Sequence, residues 1–278
     1  MTSQTKVAVI TGASSGIGKD IAMSLAAAGH TVYAGARRVE RMQPLAAAGI
    51  NVSELDVTST ESIATFVGSV LSQEDKIDVL INNAGYGSYG AVEDVDLDEA
   101  RRQFEVNLFG LAAMTNAVLP SMRSNRSGTV IHVGSVGGKL WSVLGGWYQA
   151  SKYALEGFAD CTRNELRPFG INVVLLEPGG IKSEWREDVI TTIRETSGNG
   201  PYKAIAQSAI SFFEGAASLE AEPKVVSDIV LKICSSSNPN PRYVVPTNAK
   251  IMLIFKALMT DRLFDKIWSR FMKIPKSI

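Results

Sequence analysis

A tyrosine and a lysine one helical turn apart are the pair in this chain best suited to acid–base chemistry. Tyr148 and Lys152 stand at the two ends of the sequence YQASK, at the start of a segment with helical composition. Residues four apart on a helix share a face, and a nearby ammonium group favours the phenolate over the phenol. The lysine should therefore lower the pKa of the tyrosine from its usual value of about 10, so that it exchanges a proton with a carbonyl oxygen near neutral pH. Most such pairs in proteins are inert, so this spacing alone decides nothing.

Two further polar residues complete a candidate catalytic set. Ser135 lies thirteen residues before Tyr148, just past a predicted strand, where its hydroxyl can hold a developing oxyanion. Asn107 falls inside a long predicted helix, although asparagine prefers caps and turns. Taken singly, Ser135 is equally well explained as a loop hydroxyl and Asn107 as a buried amide. The four residues together predict a site that moves a proton.

A glycine-rich turn near the N-terminus is typical of a dinucleotide phosphate site. It follows the short apolar strand at 7–10 and precedes a helix, where glycines let the backbone approach a pyrophosphate and helix N–H groups face it. The glycine spacing departs from the common dinucleotide fingerprint, and a plain tight turn is the alternative. The candidate contacts in this turn are Gly12, Ser14, Ser15, Gly16, Ile17 and Gly18.

The end of the second predicted strand indicates which dinucleotide is bound. Sites for NAD place an acidic residue there to bind the ribose hydroxyls, whereas this chain has Arg37 and Arg38 and no acid. Guanidinium groups offer paired, permanently charged donors that suit a 2′-phosphate. The sequence therefore predicts NADP(H) as the preferred cofactor, with NAD(H) as the second choice. The alternative is that both arginines simply begin a solvated helix.

Two more strand ends carry residues suited to a cofactor cleft. Asp56 and Val57 follow the third strand, and the Asp56 carboxylate can accept a hydrogen bond from an adenine amino group. Asn83, Ala84 and Gly85 follow the fourth strand. Ligands of open α/β sheets bind at the carboxyl ends of the strands, so we expect these residues to line the same cleft.

Strand and helix patterns alternate along the chain and predict an α/β fold. The expected architecture is a Rossmann-type, doubly wound parallel β-sheet of about seven strands between two helical layers. Strands are predicted at 7–10, 31–35, 50–55, 77–81, 129–133, 171–176 and 242–245. Helices are predicted at 18–28, 38–48, 60–72, 97–122, 148–167 and 223–234.

After Pro178 the regular alternation of strands and helices ends, but no domain boundary is evident. Residues 1–278 are therefore interpreted as one domain. Residues of about 180–219 are helical in composition, contain Trp185, Phe212 and Phe213, and are expected to form a substrate lid. These aromatic residues favour an apolar or bulky substrate, or else they only pack the lid itself. Residues of about 248–278 form an apolar helical extension.

Composition excludes several classes of protein. The 28 basic residues balance the 28 acidic ones, so no overall charge favours nucleic acid. Two cysteines and two histidines predict neither a disulfide framework nor a metal site, and His132, inside a strand, is expected to be structural. There is no signal-peptide pattern and no apolar stretch of about 20 residues. A cytoplasmic location is expected.

These motifs together resemble the short-chain dehydrogenase/reductase superfamily, of the classical type with a bare catalytic domain. The resemblance is carried by Thr11–Gly18, Asn82–Gly85, Asn107, Ser135, Tyr148 with Lys152, and Pro178-Gly179. It implies hydride transfer between a nicotinamide cofactor and a carbonyl/alcohol pair by an Asn–Ser–Tyr–Lys tetrad. In that reading Tyr148 is the general acid/base, Lys152 lowers its pKa and holds the nicotinamide ribose, Ser135 binds the substrate oxygen, and Asn107 positions a water.

The resemblance also extends the cofactor site and shows two departures. It adds Pro178, Gly179, Ile181 and Ser183 to the cofactor contacts, with Ser183 standing where relatives often have threonine. Many relatives that prefer NADP carry a basic residue at the position of Ser15. Arg37 must therefore carry more of the discrimination here.

Several alternatives stay open for the substrate, the assembly and the activity. The apolar tail resembles those of steroid- and retinol-dehydrogenase-like relatives, and we expect it to pack against its own chain or a sister chain rather than lie on a membrane. The resemblance implies a homodimer or homotetramer formed through the helices at 97–122 and 148–167. Competing functions are a non-catalytic NADP(H)-binding sensor or scaffold, epimerisation or dehydration on the same fold, and a peripheral membrane enzyme that the apolar tail attaches to lipid.

Overall fold

A seven-stranded parallel sheet forms the centre of the molecule. The structure is a computed structural model that describes residues 5–275 and residue 277. The strands lie in the order β3-β2-β1-β4-β5-β6-β7, and every neighbouring pair is parallel. The strands are β1 Val7–Thr11, β2 Thr31–Ala36, β3 Asn51–Glu54, β4 Val79–Asn82, β5 Gly128–Val133, β6 Ile171–Pro178 and β7 Arg242–Val245. The predicted doubly wound α/β sheet is confirmed.

Helices connect the strands and cover both faces of the sheet. Their bounds are α1 Gly16–Ala27, α2 Gln43–Ala47, α3 Thr60–Leu71, α4 Leu97–Phe104, α5 Leu111–Ser124, α6 Gly146–Leu166, α7 Trp185–Ser197, α8 Lys203–Ala216, α9 Lys224–Cys234, α10 Thr247–Leu258 and α11 Asp261–Phe271. The helix expected at 38–48 is shorter, because residues Val39–Met42 form a 3₁₀ turn before α2. Among the described residues, none of these helices is both long and apolar enough to cross a membrane.

The central strands are apolar on both faces because helices pack on both sides. Alternate residues of β1 contribute to two separate cores, Ile10 to one and Val9 to the other. The same division holds in β4, where Ile81 and Leu80 face opposite sides. This two-sided burial explains why the sequence shows continuous apolar runs rather than the alternation of half-exposed strands.

The strand order reverses next to β1, and this reversal places the carboxyl ends of β1 and β4 side by side. The first crossover leads from β1 to β2 on one side, whereas a later one returns the chain to β4 on the other. A crevice forms where the helices on the two sides diverge, and open α/β sheets bind their ligands there. The glycine-rich turn after β1 and the Asn83–Gly85 segment after β4 both lie at this edge.

The long helix predicted at 97–122 is interrupted. Residues Glu105–Gly110 form a π-helical turn between α4 and α5, so an extra residue is inserted into the helix. Such turns are rare and occur often at functional sites. Asn107 lies within this turn, which accounts for an asparagine in the middle of a helical segment.

The chain beyond β6 forms a helical lid and a two-helix tail. Helices α7 and α8 form the lid, as expected from the composition of residues 180–219. The tail was expected to be one helix, but it divides into α10 and α11 at Met259 and Thr260. The Thr260 hydroxyl accepts a hydrogen bond from the Leu263 amide at 3.4 Å and caps α11, so a new helix begins there.

Candidate active site

The glycine-rich turn has a backbone that only glycine suits. Gly12 and Gly16 have φ angles of +70° and +53°, in the left-handed region that side chains disfavour. A Cβ atom on Gly18 would lie 2.4 Å from Asn83 Nδ2 and 2.5 Å from the Gly12 carbonyl oxygen. The turn therefore packs tightly against the segment after β4.

Hydrogen bonds from Thr11 and Asn83 join the ends of β1 and β4. The Thr11 hydroxyl accepts from the amides of Asn83 and Ala84 at 3.1 and 3.0 Å. The Asn83 side-chain amide donates in return to the carbonyl oxygens of Thr11 and Gly12, at 3.0 and 3.1 Å. The predicted phosphate turn and the Asn83–Gly85 segment are thus held together as one rigid edge.

The start of α1 fits a bound anion. Ser15 is the N-cap residue, its side chain makes no capping hydrogen bond, and the first turn contains no acidic residue. The first N–H groups of a helix lack partners within the helix, and its dipole is positive at that end. Gly16, Ile17 and Gly18 present these groups beside the glycine turn, and Ser14 lies in the turn itself. This cradle fits the pyrophosphate of a dinucleotide.

The arginines after β2 lie at the same edge. Arg37 and Arg38 are both exposed and directly follow β2. Although burial acts to raise it, hydrogen bonds from Thr58 and the nearby charge of Arg37 hold the pKa of Asp56 below its usual range. The Asp56 carboxylate accepts from the amide and hydroxyl of Thr58 at 2.9 and 2.7 Å through one oxygen. Val57 follows, buried against Gly110.

A third arginine near this edge was not identified from the sequence. Arg41, in the 3₁₀ turn after β2, forms an ion pair with Glu184 at the base of the lid. This hydrogen bond, together with the charges of Arg41 and Arg38, holds the pKa of Glu184 below its usual range. The pair links the proposed 2′-phosphate region to the lid, and its spacing of 143 residues gave no sequence signal.

Tyr148 and Lys152 lie in the first two turns of α6 and are both 7% exposed. Lys152 Nζ donates to the Val133 carbonyl oxygen at 3.1 Å, where β5 ends. It also lies 5.9 Å from the centroid of the Tyr148 ring. The ammonium group is therefore fixed between the end of β5 and the phenol, although it makes its hydrogen bond to the backbone.

The pKa of Tyr148 shifts in the direction opposite to the sequence prediction. Burial raises the pKa of Tyr148 to about 12, while the approach of the Ser135 hydroxyl acts to lower it. The phenol packs against Tyr89 and Trp185, with ring centroids 5.6 and 5.5 Å away. Burial lowers the pKa of Lys152 to about 8, so that this lysine loses charge far more readily than a solvated one.

Ser135 and Asn107 complete the set on either side of Tyr148. The Ser135 hydroxyl accepts from the Gly137 amide at 3.0 Å, beside the Tyr148 ring. Asn107 Nδ2 donates to the Tyr86 carbonyl oxygen at 2.9 Å and to Ser151 Oγ at 3.1 Å, and Oδ1 accepts from the Tyr86 amide at 3.0 Å. A Cβ atom on Gly85 would lie 3.1 Å from Asn107 Oδ1 and 3.8 Å from Lys152 Nζ.

The segment after β6 returns to the glycine turn. Pro178 ends β6, and the Gly179 amide donates to the Val245 carbonyl oxygen at 2.7 Å. Ile181 forms a single parallel bridge with Ala221. Ser183 packs against Gly16, since a Cβ atom on that glycine would lie 3.2 Å from the Ser183 Cβ. The structure thus brings this segment to the glycine-rich turn.

One buried histidine stands apart from the candidate site. His132 is buried within β5, contacts Asn82 at 3.2 Å, and has a pKa lowered by burial to about 3, which confirms the prediction of a structural histidine. Among the described residues, no three histidine, cysteine, aspartate or glutamate side chains are grouped to hold a metal ion.

Sequence reasoning missed Tyr89 and Ser151, because their contacts with the site depend on tertiary packing.

Known proteins similar to this chain are dehydrogenases and reductases. A sequence profile of the short chain dehydrogenase family matches residues 6–194. A probable short-chain type dehydrogenase/reductase of Helicobacter pylori, VdlC, is 31% identical, and the match covers 94% of this chain and 96% of the relative. The NADPH-dependent 3-dehydrocapnine reductase of Ornithobacterium rhinotracheale is 32% identical, covering 96% of this chain and 98% of the relative.

Solved structures show the same architecture. A short-chain dehydrogenase from Streptomyces avermitilis superposes with a TM-score of 0.80 at 30% identity, covering 99% of this chain and 100% of that one. An alcohol dehydrogenase from the archaeon Thermococcus sibiricus, complexed with 5-hydroxy-NADP, has a TM-score of 0.71 at 26% identity, covering 87% and 96%.

Proposed function

The chain belongs to the short-chain dehydrogenase/reductase superfamily, and on this basis we propose that it interconverts a carbonyl and a secondary alcohol with NADP(H). The observation that carries the proposal is the gathering of Asn107, Ser135, Tyr148 and Lys152 beside the glycine-rich turn. Asn107 and Ser135 lie 41 and 13 residues before Tyr148 in the sequence, yet all four residues lie at the carboxyl edge of the sheet next to the anion cradle of α1.

Tyr148 is the proposed proton donor and acceptor. Its phenol protonates the carbonyl oxygen during reduction and removes the hydroxyl proton during oxidation. Ser135, beside the same ring, donates a hydrogen bond to the oxygen on which negative charge develops. Lys152 lies next to the phenol, where its charge stabilises the phenolate left after proton transfer.

Asn107 is proposed to position a water molecule next to Lys152. Its side chain is hydrogen-bonded to the Tyr86 backbone and Ser151, and its Oδ1 and Lys152 Nζ both lie within 4 Å of the position that a Cβ atom on Gly85 would take. A water held there connects the ammonium group to solvent, so that the lysine passes on the proton that the tyrosine needs. The Val133 carbonyl oxygen fixes the lysine in this position.

The nicotinamide cofactor, when bound, supplies the hydride to the carbonyl carbon. The pyrophosphate would be held by Gly12, Ser14, Ser15, Gly16, Ile17 and Gly18, the adenine by Asp56 and Val57, and the nicotinamide end by Asn83, Ala84, Gly85, Pro178, Gly179, Ile181 and Ser183. Lys152 would hold the nicotinamide ribose. The start of α1 supports this assignment, because Ser15 makes no side-chain capping hydrogen bond there and the first turn contains no acidic residue.

NADP(H) is proposed over NAD(H) because of the charges after β2. Arg37 and Arg38 are exposed at the end of this strand, where no acid is available to bind ribose hydroxyls. Arg41 lies one 3₁₀ turn further on, but its charge is paired with that of Glu184, so the proposal depends on Arg37 and Arg38. The name of the 3-dehydrocapnine reductase, which specifies NADPH, is in keeping with this choice.

The substrate is proposed to be apolar or bulky. The Tyr148 ring belongs to an apolar cluster that includes Tyr89 and Trp185, together with Phe213 of the lid. A groove of about 400 Å³ adjoins this cluster and is lined by Ala91, Val92, Glu93, Val143, Leu144, Tyr202 and Ile205. Its lining is mostly hydrophobic, which suits an alkyl or aromatic substrate better than a charged one.

The first experiment compares NADPH and NADH binding to the purified protein by calorimetry, followed by a carbonyl screen with the tighter cofactor. Much tighter NADPH binding with turnover of a ketone supports the whole proposal. Tight binding without turnover of any carbonyl or alcohol favours the alternative of a non-catalytic NADP(H)-binding sensor or scaffold. Failure to bind either dinucleotide contradicts the proposed site.

Two further parts of the proposal concern the cellular compartment and the oligomeric state of the enzyme. Cys161 is exposed and Cys234 is buried, and both are free, in keeping with a reducing cytoplasmic compartment. A homodimer or homotetramer through the α4–α5 and α6 helices is proposed from the resemblance.

A further inference from the structure

The outer surface of the C-terminal tail, residues 247–273, carries apolar side chains that nothing in the described chain covers. On α10, Ile251, Ile254, Phe255 and Leu258 are between 49% and 79% exposed. Their spacing of three and four residues places them on one face of the helix. Ala249, on the opposite face, is buried. The exposed face of α10 is therefore the apolar one, the reverse of an ordinary surface helix.

Helix α11 has three stripes that differ in their surroundings. Phe264, Trp268 and Met272 face the body of the protein, and both Phe264 and Met272 are buried. The second stripe consists of the residues that directly precede these in the sequence. They are between 44% and 58% exposed and are Leu263, Ile267 and Phe271. Successive stripes are rotated by about 100° around the helix, so this second apolar stripe borders the packed one on the outer side.

The third stripe of α11 is basic. Arg262, Lys266 and Arg270 precede the exposed apolar residues by one position and lie at the outer border of that stripe, all exposed. An apolar stripe edged by lysine and arginine is the arrangement by which helices bind in the plane of a membrane interface. The packed stripe, meanwhile, keeps the helix attached to its own chain.

The charge of the tail is unlike that of the rest of the protein. Residues 247–278 contain seven lysines and arginines and two aspartates, whereas the preceding residues contain 21 basic and 26 acidic residues. Both tail aspartates are already engaged, Asp261 with Lys256 at 2.6 Å and Asp265 with the Trp141 indole at 2.8 Å. The tail is thus a local positive region on a protein of zero net charge.

We propose that the exposed apolar face of α10 and α11, with its basic border, docks this protein on the surface of an anionic phospholipid bilayer. The apolar residues enter the interface, and the arginines and lysines contact lipid phosphates. The charge of the tail distinguishes this occupant from a second copy of the chain, because two such tails repel each other.

The inner contacts of the tail connect this docking surface to the candidate active site. Trp268 donates to the Trp141 carbonyl oxygen at 2.7 Å and packs near Phe212 of the lid. Phe212 contacts Phe213, whose ring packs on Tyr89 beside Tyr148. Docking would bring the lid close to the lipid surface, where an apolar substrate is concentrated. This last step rests on the proposed function, whereas docking itself does not.

The test is cosedimentation of the full chain with vesicles of phosphatidylcholine alone or of an equal mixture of phosphatidylcholine and phosphatidylglycerol. We expect binding to the mixed vesicles that weakens as salt is raised. Replacing Arg262, Lys266 and Arg270 together with glutamine should weaken binding by about a hundredfold, since each basic residue near an anionic surface contributes about 1 kcal/mol and every 1.4 kcal/mol is a factor of ten. Leu258→Asp should weaken it comparably.

The matched control is Leu219→Asp, because Leu219 is 64% exposed but lies at the end of the lid outside the tail. It should leave vesicle binding unchanged. Binding that is absent, equal on both vesicles, or insensitive to Leu258→Asp overturns the proposal. Sedimentation velocity in the absence of lipid gives a second test. If Leu258→Asp converts a dimer to a monomer, the apolar face is a contact between copies of the chain and the proposal is overturned. The readout needs no turnover, so failure of the proposed reaction leaves it interpretable.

Discussion

At the scale of single residues, the burial of Tyr148 strengthens the preference of the phenol for its protonated form. Its pKa is raised to about 12 by burial among Tyr89 and Trp185, so at neutral pH the phenol keeps its proton. A protonated phenol is ready to donate to a carbonyl oxygen, which favours the reductive direction in this conformation. The oxidative direction needs the phenolate and hence a lower pKa, which a charged Lys152 favours.

Replacing Tyr148 by phenylalanine tests the proton transfer directly. Tyr148→Phe keeps the ring packing against Tyr89 and Trp185 but removes the hydroxyl. We expect turnover to fall by about 10²-fold or more, the usual size of general acid–base catalysis, with NADPH affinity nearly unchanged. Steady-state kinetics and calorimetry give the two readouts. Retained turnover would show that another group supplies the proton.

The buried Lys152 makes a prediction about stability. Its pKa is lowered from 10.5 to about 8, so between these values the unfolded chain holds a proton that the folded chain has lost. The free energy of unfolding therefore gains a contribution that rises with pH from 8 to 10.5 and is constant below 8. Lys152→Met abolishes this contribution. The stability of the variant relative to the parent should be greatest below pH 8 and decline by roughly 3 kcal/mol towards pH 10.5.

Urea unfolding at several pH values measures this difference. The control is Lys232→Met, at an exposed lysine of α9 that stays in water in both states. Its stability relative to the parent should not depend on pH in this window. A constant difference for Lys152→Met as well would mean that this lysine is not desolvated in the folded protein.

The choice of cofactor is tested at Arg37. Arg37→Ala should weaken NADPH binding by about tenfold or more, the usual loss for a hydrogen-bonded charge, and NADH binding by far less. Calorimetry with both dinucleotides measures the two effects. Equal weakening of both would remove Arg37 from the phosphate site and leave Arg38 and Arg41 as candidates.

At the scale of elements, the sequence predicted which helices and strands exist but not their local defects. The apolar runs and glycines around residues 7–18 were sufficient for β1 and α1, because local signals specify a buried strand and a helix start. The π turn at Glu105–Gly110 was not predicted, since no composition or spacing marks one. It holds Asn107 against the Tyr86 backbone and Ser151, contacts that only the folded chain creates.

The sequence indicated which residues the structure brings together at the candidate site, but it did not indicate how burial shifts their pKa values. Tyr148 and Lys152 were recognisable by their spacing, and the structure places them together at the edge of the sheet. The direction of the Tyr148 pKa shift was wrong, because it depends on Trp185 of the lid, 37 positions further along the chain. The same is true of the Arg41–Glu184 pair, which no local pattern indicates.

The lid helix α7 should tune the phenol through Trp185. Trp185→Ala exposes Tyr148 to water, so the pKa, which burial raises, should fall towards its usual value. Oxidation uses the phenolate as base and speeds up as pH rises through this pKa. The rise should therefore move to lower pH in the variant, as measured by the pH dependence of alcohol oxidation. Trp185→Phe, which keeps a ring at this position, should shift the profile less, and identical profiles for both variants would contradict the role of burial.

At the scale of the whole molecule, the parallel sheet follows from burial on both faces, and its strand order follows from the rules for crossover connections. The assembly does not follow in this way, because the long helices and the tail both carry exposed apolar residues. Phe109, in the π turn, and Tyr153, on α6, are 55% and 49% exposed on the long helices through which we propose oligomerisation. The other group is the apolar face of the tail.

Two matched variants separate these surfaces. Phe109→Asp places a charge on the proposed interface of the long helices, where burying an unpaired carboxylate is costly, so the oligomer should dissociate at micromolar concentration. Leu258→Asp, on the tail, should leave the oligomer intact because that face is proposed to meet lipid. Sedimentation velocity of both variants and the parent measures the outcome. The reverse pattern, with Leu258→Asp dissociating the oligomer and Phe109→Asp leaving it intact, would assign assembly to the tail. The long helices would then not form the oligomer interface. The basic residues of α11 would instead have to pair with acidic residues of the sister chain.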